Sequence, residues 1–504
     1  MEYKLFRDSV NALGTVTDIQ QEIPIETEIM VPDYLPAVFK IVKTLIHRVI
    51  LQREIQNGHL LLEGYFRIEV LYQSEDQNLC TIEQKVAFSR QTELKLTEGQ
   101  LVRCILVSGE VQYTNCRALS QHRLDLRGAY NLTARITLQT AQPIVTAVTG
   151  DGIQQKSCTV PAVSLYTTRE KQFTLQESVE LQNQPEQILH SYGNIRVQEL
   201  RCISGKAVAK GDAVITLVYC CTGTDKPLQQ VFSLPFHQVI DATDLPEDGE
   251  SQLNGTVIGC SLAADEEDSS KTVLNCVCLM TVVQIRKLEY MGVADCFSTV
   301  CETSLSRQEL TTDVLLETVN TSLEMSLHDS LPEDSLEVLE CLVECFAPEV
   351  FPEEKQCIVR GRVAAHLVCR NALGEIDCYD KTADYQLPDG YPYLSQELIP
   401  ILSAWCEGWR FSQTESRVQV TANIRLQGML CKKQTFPLVE NITGNAPLAQ
   451  EEEVALRVYY ACTGEKVFDI AKRYHADPNV ISALAGIDGD TLQQDCRLLI
   501  PQNS

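Results

Sequence analysis

Residues 60–72 read LLLEGYFRIEVLY, and from Gly64 onward Phe66, Ile68, Val70 and Tyr72 alternate with Arg67 and Glu69. A period of two predicts a strand with one buried face, because successive side chains point to opposite sides of a sheet. The pattern returns 147 residues later as AVAKGDAVITLVY, residues 207–219, with Gly211 followed by Ala213, Ile215, Leu217 and Tyr219. It returns after 150 more as CIVRGRVAAHLVC, residues 357–369, with Gly361 followed by Val363, Ala365, Leu367 and Cys369. A glycine inside a strand marks a bulge, a bend or a close backbone approach, so Gly64, Gly211 and Gly361 are read as structural positions of a repeat.

The flanks repeat too. A polar turn follows each strand: SEDQN at 74–78, TGTDK at 222–226 and NALGE at 371–375. Each turn leads to a second alternating strand ending on an aromatic residue, Phe88, Phe236 or Tyr385, which lie 24, 25 and 24 residues past the glycines. That constancy predicts three hairpins of one size. A further strand closes each unit: Leu132, Ala134, Ile136 and Leu138 in the first, LNCVCLMTVVQI at 274–285 in the second, and Val418, Val420, Ala422, Ile424 and Leu426 in the third. Short helices are expected before the hairpins, at 35–42, 184–192 and 332–344, where Leu336, Leu339, Leu342 and Val343 fall at helical spacing.

The expected fold is mainly β: three tandem sandwich- or barrel-like domains at 1–150, 151–300 and 301–446, with one continuous sheet assembly as the alternative. Residues 447–456 read as a linker. Residues 457–504 differ, running strand, helix, helix, strand. Val467, Ile470, Ala471 and Tyr474 mark the first helix. Asp477 and Pro478 cap the second, whose buried stripe is expected to be Val480, Ile481 and Leu484.

The chain has 504 residues and a net charge of −26, which makes nucleic acid and anionic membrane poor partners. Acidic residues concentrate at 241–270 and 308–354, which contain no Lys or Arg and are expected to be solvated loops and an exposed helix face, or a docking surface for a basic partner. The 21 cysteines are odd in number and show no disulfide framework; Cys276 and Cys278 sit at strand spacing without an evident cross-strand partner. Free thiols in a reducing compartment are the expectation. The N-terminal MEYKLFRDSV has no apolar signal region, and no apolar run is long enough to span a membrane, so a cytoplasmic location is expected.

The common catalytic and metal-binding signatures are absent from the sequence. There is no GxxxxGK[ST] loop, no HExxH and no GxSxG, and the eight histidines show no pair at metal spacing. Cys341 and Cys345 lie one helical turn apart, but a zinc site needs two more ligands. No catalytic residue, metal or cofactor is expected.

Two resemblances extend this reading. Tyr459, Gly464, Glu465, Val467, Ile470, Ala471, Tyr474, Leu484, Leu498, Ile500 and Pro501 match the pattern of the LysM module, a βααβ fold whose members often bind N-acetylglucosamine polymers. The upstream units resemble the SPOCS domain of bacterial spore-envelope proteins, through Val31, Pro32, Pro36 and Val38, then Glu63–Gly64, then Val70, Leu71 and Tyr72. Together they imply a scaffold of spore coat morphogenesis in the mother cell at the forespore surface, with a coat protein such as the SpoIVA ATPase as partner. A wall protein gripping peptidoglycan through LysM is the alternative.

The resemblance also implies a binding groove between the loops Thr463–Phe468 and Ala485–Asp488, made of Gly464, Glu465, Lys466, Val467, Phe468, Ala485, Gly486, Ile487 and Asp488. The family usually has Ser or Thr where this chain has Lys466, Asn where it has Ala485, and Pro-Gly where it has Asp495–Cys496. These departures suggest a groove turned from sugar toward a protein surface, with Val467, Phe468 and Ile487 as its apolar centre.

Overall fold

In the computed structural model, the described residues are 3–501 apart from 98, 184, 222–225, 244, 265–271, 333–334, 355, 388–390, 393–397 and 449–455. The first stretch forms β1 (Lys4–Met30), β2 (Val38–Gln56), β3 (His59–Ser74), β4 (Leu79–Glu93), β5 (Gln100–Ser120) and β6 (Arg123–Thr149). These make two antiparallel sheets, β2-β3-β4 and β1-β6-β5. The alternating stretch lies in β3. Leu60, Leu62, Phe66 and Ile68 are buried between the sheets with Ile25, Leu124 and Leu126, and the Phe66 ring centre lies 4.7 Å from Phe88 and 5.0 Å from Tyr130.

The next stretch forms β7 (Ile153–Thr167), β8 (Lys171–Val179), β9 (Pro185–Ile203), β10 (Lys206–Cys221), β11 (Leu228–Asp241), β12 (Glu250–Ala264) and β13 (Thr272–Ser298). Here one path, β11-β10-β9-β12-β13-β7, joins everything, with β8 also on β13. A single pairing, Thr256 with Asn194, connects β12 to β9. The third stretch forms β14 (Cys301–Ser330), β15 (Ser335–Cys345), β16 (Glu349–Pro352), β17 (Gln356–Asn371), β18 (Ile376–Gln386), β19 (Tyr391–Pro392), β20 (Leu398–Thr414) and β21 (Arg417–Pro447). β14-β21-β20 form one sheet, and β15, β16, β18 and β19 all pair with β17.

The three glycines sit opposite the three aromatics. Gly64 pairs with Phe88, Gly211 with Phe236 and Gly361 with Tyr385. Each is a place of close approach. A Cβ on Gly64 would lie 2.0 Å from the Val49 carbonyl oxygen, and one on Gly211 would lie 2.1 Å from that of Arg196. At Gly361 the neighbour is the Tyr385 ring, 2.2 Å away. The ladder slips beside two of them, between Ile50 and Gln52 and between Lys210 and Gly211. That is the behaviour of a strand bulge.

Several apolar clusters join the three stretches, two of them as follows. Leu71 and Leu79 meet Leu189 and Val218, and both pairs meet Leu339, Leu342, Val368 and Ile376. Leu13 and Cys104 meet Val163, Leu165, Val283 and Ile285, then Ile401, Met429 and Cys431. Strands buried on both faces carry continuous apolar runs, as in 274–285.

The helices expected before the hairpins are strands. Residues 38–42 belong to β2, 185–192 to β9 and 335–344 to β15. In β15 the leucine spacing arises from burial on two faces. Leu339 and Leu342 enter one apolar cluster and Val338 and Cys341 another, while Leu336 is 64% exposed. Cys341 and Cys345 are therefore strand neighbours, not one helical turn apart. The acidic stretch 308–354 is likewise strand throughout most of its length rather than an exposed helix face, and it includes buried Asp313 and Glu340. Of the acidic stretch 241–270, residues 250–264 are strand, and 265–270 lie outside the described residues.

The chain ends in β22 (Leu456–Ala461), α1 (Val467–Arg473), α2 (Pro478–Ala485) and β23 (Cys496–Pro501). Most of the expected linker, 449–455, lies outside the described residues. No described helix is long and apolar enough to cross a membrane.

Candidate functional site

The groove residues sit where two loops of the terminal module interlock. The Gly464 N–H donates to the Leu492 carbonyl and the Leu492 N–H to the Glu465 carbonyl, both at 2.9 Å, and Lys466 bridges Thr491. Gly464 has φ +91° and Gly486 φ +62°, the left-handed conformation that favours glycine. Gly486 closes α2 as its C-cap, with the Ile487 N–H donating to the Ser482 carbonyl at 3.0 Å. At the other end of α2, Asp477 accepts the Asn479 N–H at 2.8 Å beneath Pro478, the expected cap. α1 has no cap from its own Lys466. Asp490 serves instead, accepting the Phe468 N–H at 2.9 Å.

Glu465 is engaged inside the module. Its carboxylate accepts the Tyr459 hydroxyl and the Cys462 N–H, each at 2.8 Å, and these bonds hold its pKa below the ordinary value. Gly464, Lys466, Gly486 and Asp488 are exposed, and Ala485 and Ile487 are half-buried. Val467 and Phe468 are buried, at 2% and 5% exposure, and do not form the apolar centre of an open groove. The stripe on α2 is also narrower than expected. Ile481 is fully buried, but Val480 and Leu484 are 41% and 52% exposed. Two turns of helix on a small module leave only one ridge facing inward.

Phe468 is buried because the module rests on the β-rich body. Its ring meets Phe297 of β13 edge-on at 5.3 Å, and the Lys156 ammonium lies 5.6 Å over its face. Lys156 also bonds Asp490, the residue that caps α1. Lys472 reaches both oxygens of Asp295 at 2.6 and 2.7 Å, and Arg307 reaches the same carboxylate at 3.0 Å. His475 contacts the Ser298 carbonyl at 3.1 Å. The accessible rim that remains is Lys466, Ile487 and Asp488 with the two glycines, a small mixed surface suited to polar and apolar contact. Among the described residues no group of three or more His, Cys, Asp or Glu is arranged to hold a metal ion.

A second polar constellation lies where the three stretches meet, and the alternation in β3 conceals it. Glu69 falls on the face expected to be solvated, yet it is only 4% exposed. His190 of β9 reaches its carboxylate at 2.5 Å, Arg67 at 3.0 Å, and His47 lies 3.9 Å away. Burial pushes the Glu69 pKa up, but the neighbouring His190, His47 and Arg67 outweigh it and hold the group at about 2. Burial pushes His47 down to about 4. Nearby, His366 contacts Asp380 at 2.7 Å and Glu344 at 3.4 Å, and Lys43 reaches the same Asp380 at 2.7 Å. These groups link β2, β3, β9, β15, β17 and β18 and serve as ties between strands.

Glu340 of β15 is the exception in this region. It is 4% exposed, its carboxylate accepts the Cys341 N–H at 2.9 Å, and burial raises its pKa to about 7 from 4.5. The folded chain therefore holds a proton there between pH 4.5 and 7, where the unfolded chain has released it, so this group lowers stability as pH rises through that window. Glu340→Gln removes the penalty and keeps an acceptor for Cys341. Urea unfolding should show the variant more stable than the parent by about 3 kcal/mol at pH 8, and the gap should close by pH 4.5. A gap that does not change with pH would contradict a buried ionisable Glu340.

The chain matches no family model, no curated protein and no solved structure.

Proposed function

We propose that the chain is a non-enzymatic scaffold of endospore coat or envelope assembly, similar to SipL and SpoVID, built from three SPOCS-like β units and a LysM-like module. It acts in the mother-cell cytoplasm at the forespore surface and engages a coat protein such as the SpoIVA ATPase through the module. One observation carries the reading. A glycine and an aromatic residue face each other across a hairpin three times, at Gly64–Phe88, Gly211–Phe236 and Gly361–Tyr385, and a strand–helix–helix–strand segment follows the third unit. The order of strand pairing supports it, since a long first strand pairs with a long last strand in β1-β6-β5 and again in β14-β21-β20.

The partner surface on this reading is the rim of Lys466, Ile487 and Asp488, flanked by Gly464, Ala485 and Gly486. Glu465, Val467 and Phe468 hold the loops beneath it. Lys466→Glu and Ile487→Asp should each weaken binding of the full chain to the purified coat ATPase about tenfold or more, the range of a central interface contact. Their circular dichroism melts should match the parent. The parent should show no measurable affinity for chito-oligosaccharide. Micromolar glycan binding together with unchanged ATPase binding in both variants would favour the wall-binding alternative.

A further inference from the structure

Cys260 and Cys276 are direct partners across the antiparallel ladder of β12 and β13. The Cys276 thiol donates to the Cys260 sulfur, and the two sulfurs are 3.5 Å apart. Directly paired residues in an antiparallel sheet have Cα atoms about 4.5 or 5.5 Å apart, and both distances lie within the range that a disulfide spans. Closing the bond needs the sulfurs to approach by about 1.5 Å, a side-chain movement, with no shift of strand register.

The two thiols are not alike. Cys276 is fully buried, whereas Cys260 is half-buried. Of the pair, only Cys260 keeps appreciable exposure. The hydrogen bond from Cys276 also favours the thiolate at Cys260 and lowers its pKa, with Arg67 and Ser191 acting in the same direction against burial. Geometry and chemistry agree on which sulfur attacks first.

We infer that Cys260 and Cys276 form a reversible oxidation site, in which a low-molecular-weight disulfide converts the thiol pair to a cross-strand disulfide. Cys260 thiolate attacks one sulfur of the reagent, forms a mixed disulfide and releases one reagent thiolate. The Cys276 thiol passes its proton to the released reagent thiolate as its sulfur attacks the Cys260 sulfur and expels the second reagent thiolate. The protein loses two protons and two electrons, and the reagent disulfide gains the electrons to become two thiols. The bond staples β12 to β13, and excess thiol reverses it.

The test uses the native full chain and oxidised glutathione, followed by alkylation of the remaining thiols, digestion without reductant and peptide mass mapping. The expected result is a cross-linked peptide pair containing Cys260 and Cys276 that disappears on treatment with reduced glutathione. In Cys276→Ala, the second step is blocked and a Cys260–glutathione adduct should accumulate. In Cys260→Ala, Cys276 should remain unmodified. The parent map is decisive even if a variant fails to fold. Alkylation of both residues after oxidation, or a disulfide mapped between other cysteines in place of this pair, overturns the inference.

Discussion

Replacing Glu69 with alanine is expected to cost the fold about 3–5 kcal/mol, the range seen when one partner is removed from a buried charge cluster. The reason is what remains. The Arg67 side chain is 11% exposed and that of His190 is 5% exposed, so neither can turn to water when the carboxylate is gone. The Arg67 guanidinium cannot shed its proton and would stay charged. Glu69→Gln keeps an acceptor at the same place and should cost less. The difference from the parent should depend on pH with a definite sign. The Glu69 pKa is held at about 2 when folded against 4.5 ordinarily, so its contribution is complete above about pH 5 and fades as pH falls toward 2. Unfolding curves at pH 7 and pH 3 should therefore show a larger gap at pH 7. Because Glu69 and His190 lie 121 residues apart in sequence, the loss should also raise amide exchange in β9 as well as β3. Unaltered exchange in β9 would mean that this contact does not tie the two strands.

Glu69 also shows where the sequence stops being legible. From Leu60 to Ile68, β3 is buried on alternate residues, as its pattern predicts. From Glu69 to Ser74 every residue is buried, because a second layer from β9, β10, β15 and β17 covers the other face. Periodicity reports one sheet face at a time, and nothing local announces that a distant strand will close the second. The same cause hides β15. A strand filled on both faces places leucines at 339 and 342, and with the exposed Leu336 they reproduce the spacing of a helical stripe. The terminal module is clearer, because caps are local chemistry. Asp477 and Pro478 behave as their side chains dictate. Phe468 does not follow from its own segment, since Phe297 and Lys156 bury it from outside the module. The Cys260–Cys276 pair needed the register of two strands, which spacing alone does not supply.

The glycines at 64, 211 and 361 were legible as special, and the structure now separates them. Gly64→Ala and Gly211→Ala should each destabilise by on the order of 3 kcal/mol or more, at the upper end of single substitutions. In both, the new methyl meets a main-chain carbonyl oxygen at 2.0 or 2.1 Å, and a strand must move to admit it. Moving β2 away from β3, or β9 away from β10, breaks ladder bonds on strands that are already committed to a core. Gly361→Ala meets the far end of the Tyr385 ring instead, at 2.2 Å. A ring can swing where a strand cannot, although Tyr385 is 4% exposed and its hydroxyl donates to the Phe346 carbonyl at 2.6 Å. Losing that bond costs about 1 kcal/mol, and repacking the ring adds to it. The expected order from urea unfolding is thus Gly64→Ala and Gly211→Ala well above Gly361→Ala. A double-mutant cycle isolates the cause: Tyr385→Leu removes the ring tip that the Gly361 methyl would strike, so the two changes together should cost less than their sum. Strict additivity, or a Gly361→Ala variant as damaged as the other two, would place the constraint at 361 in the backbone and not in the ring that covers it.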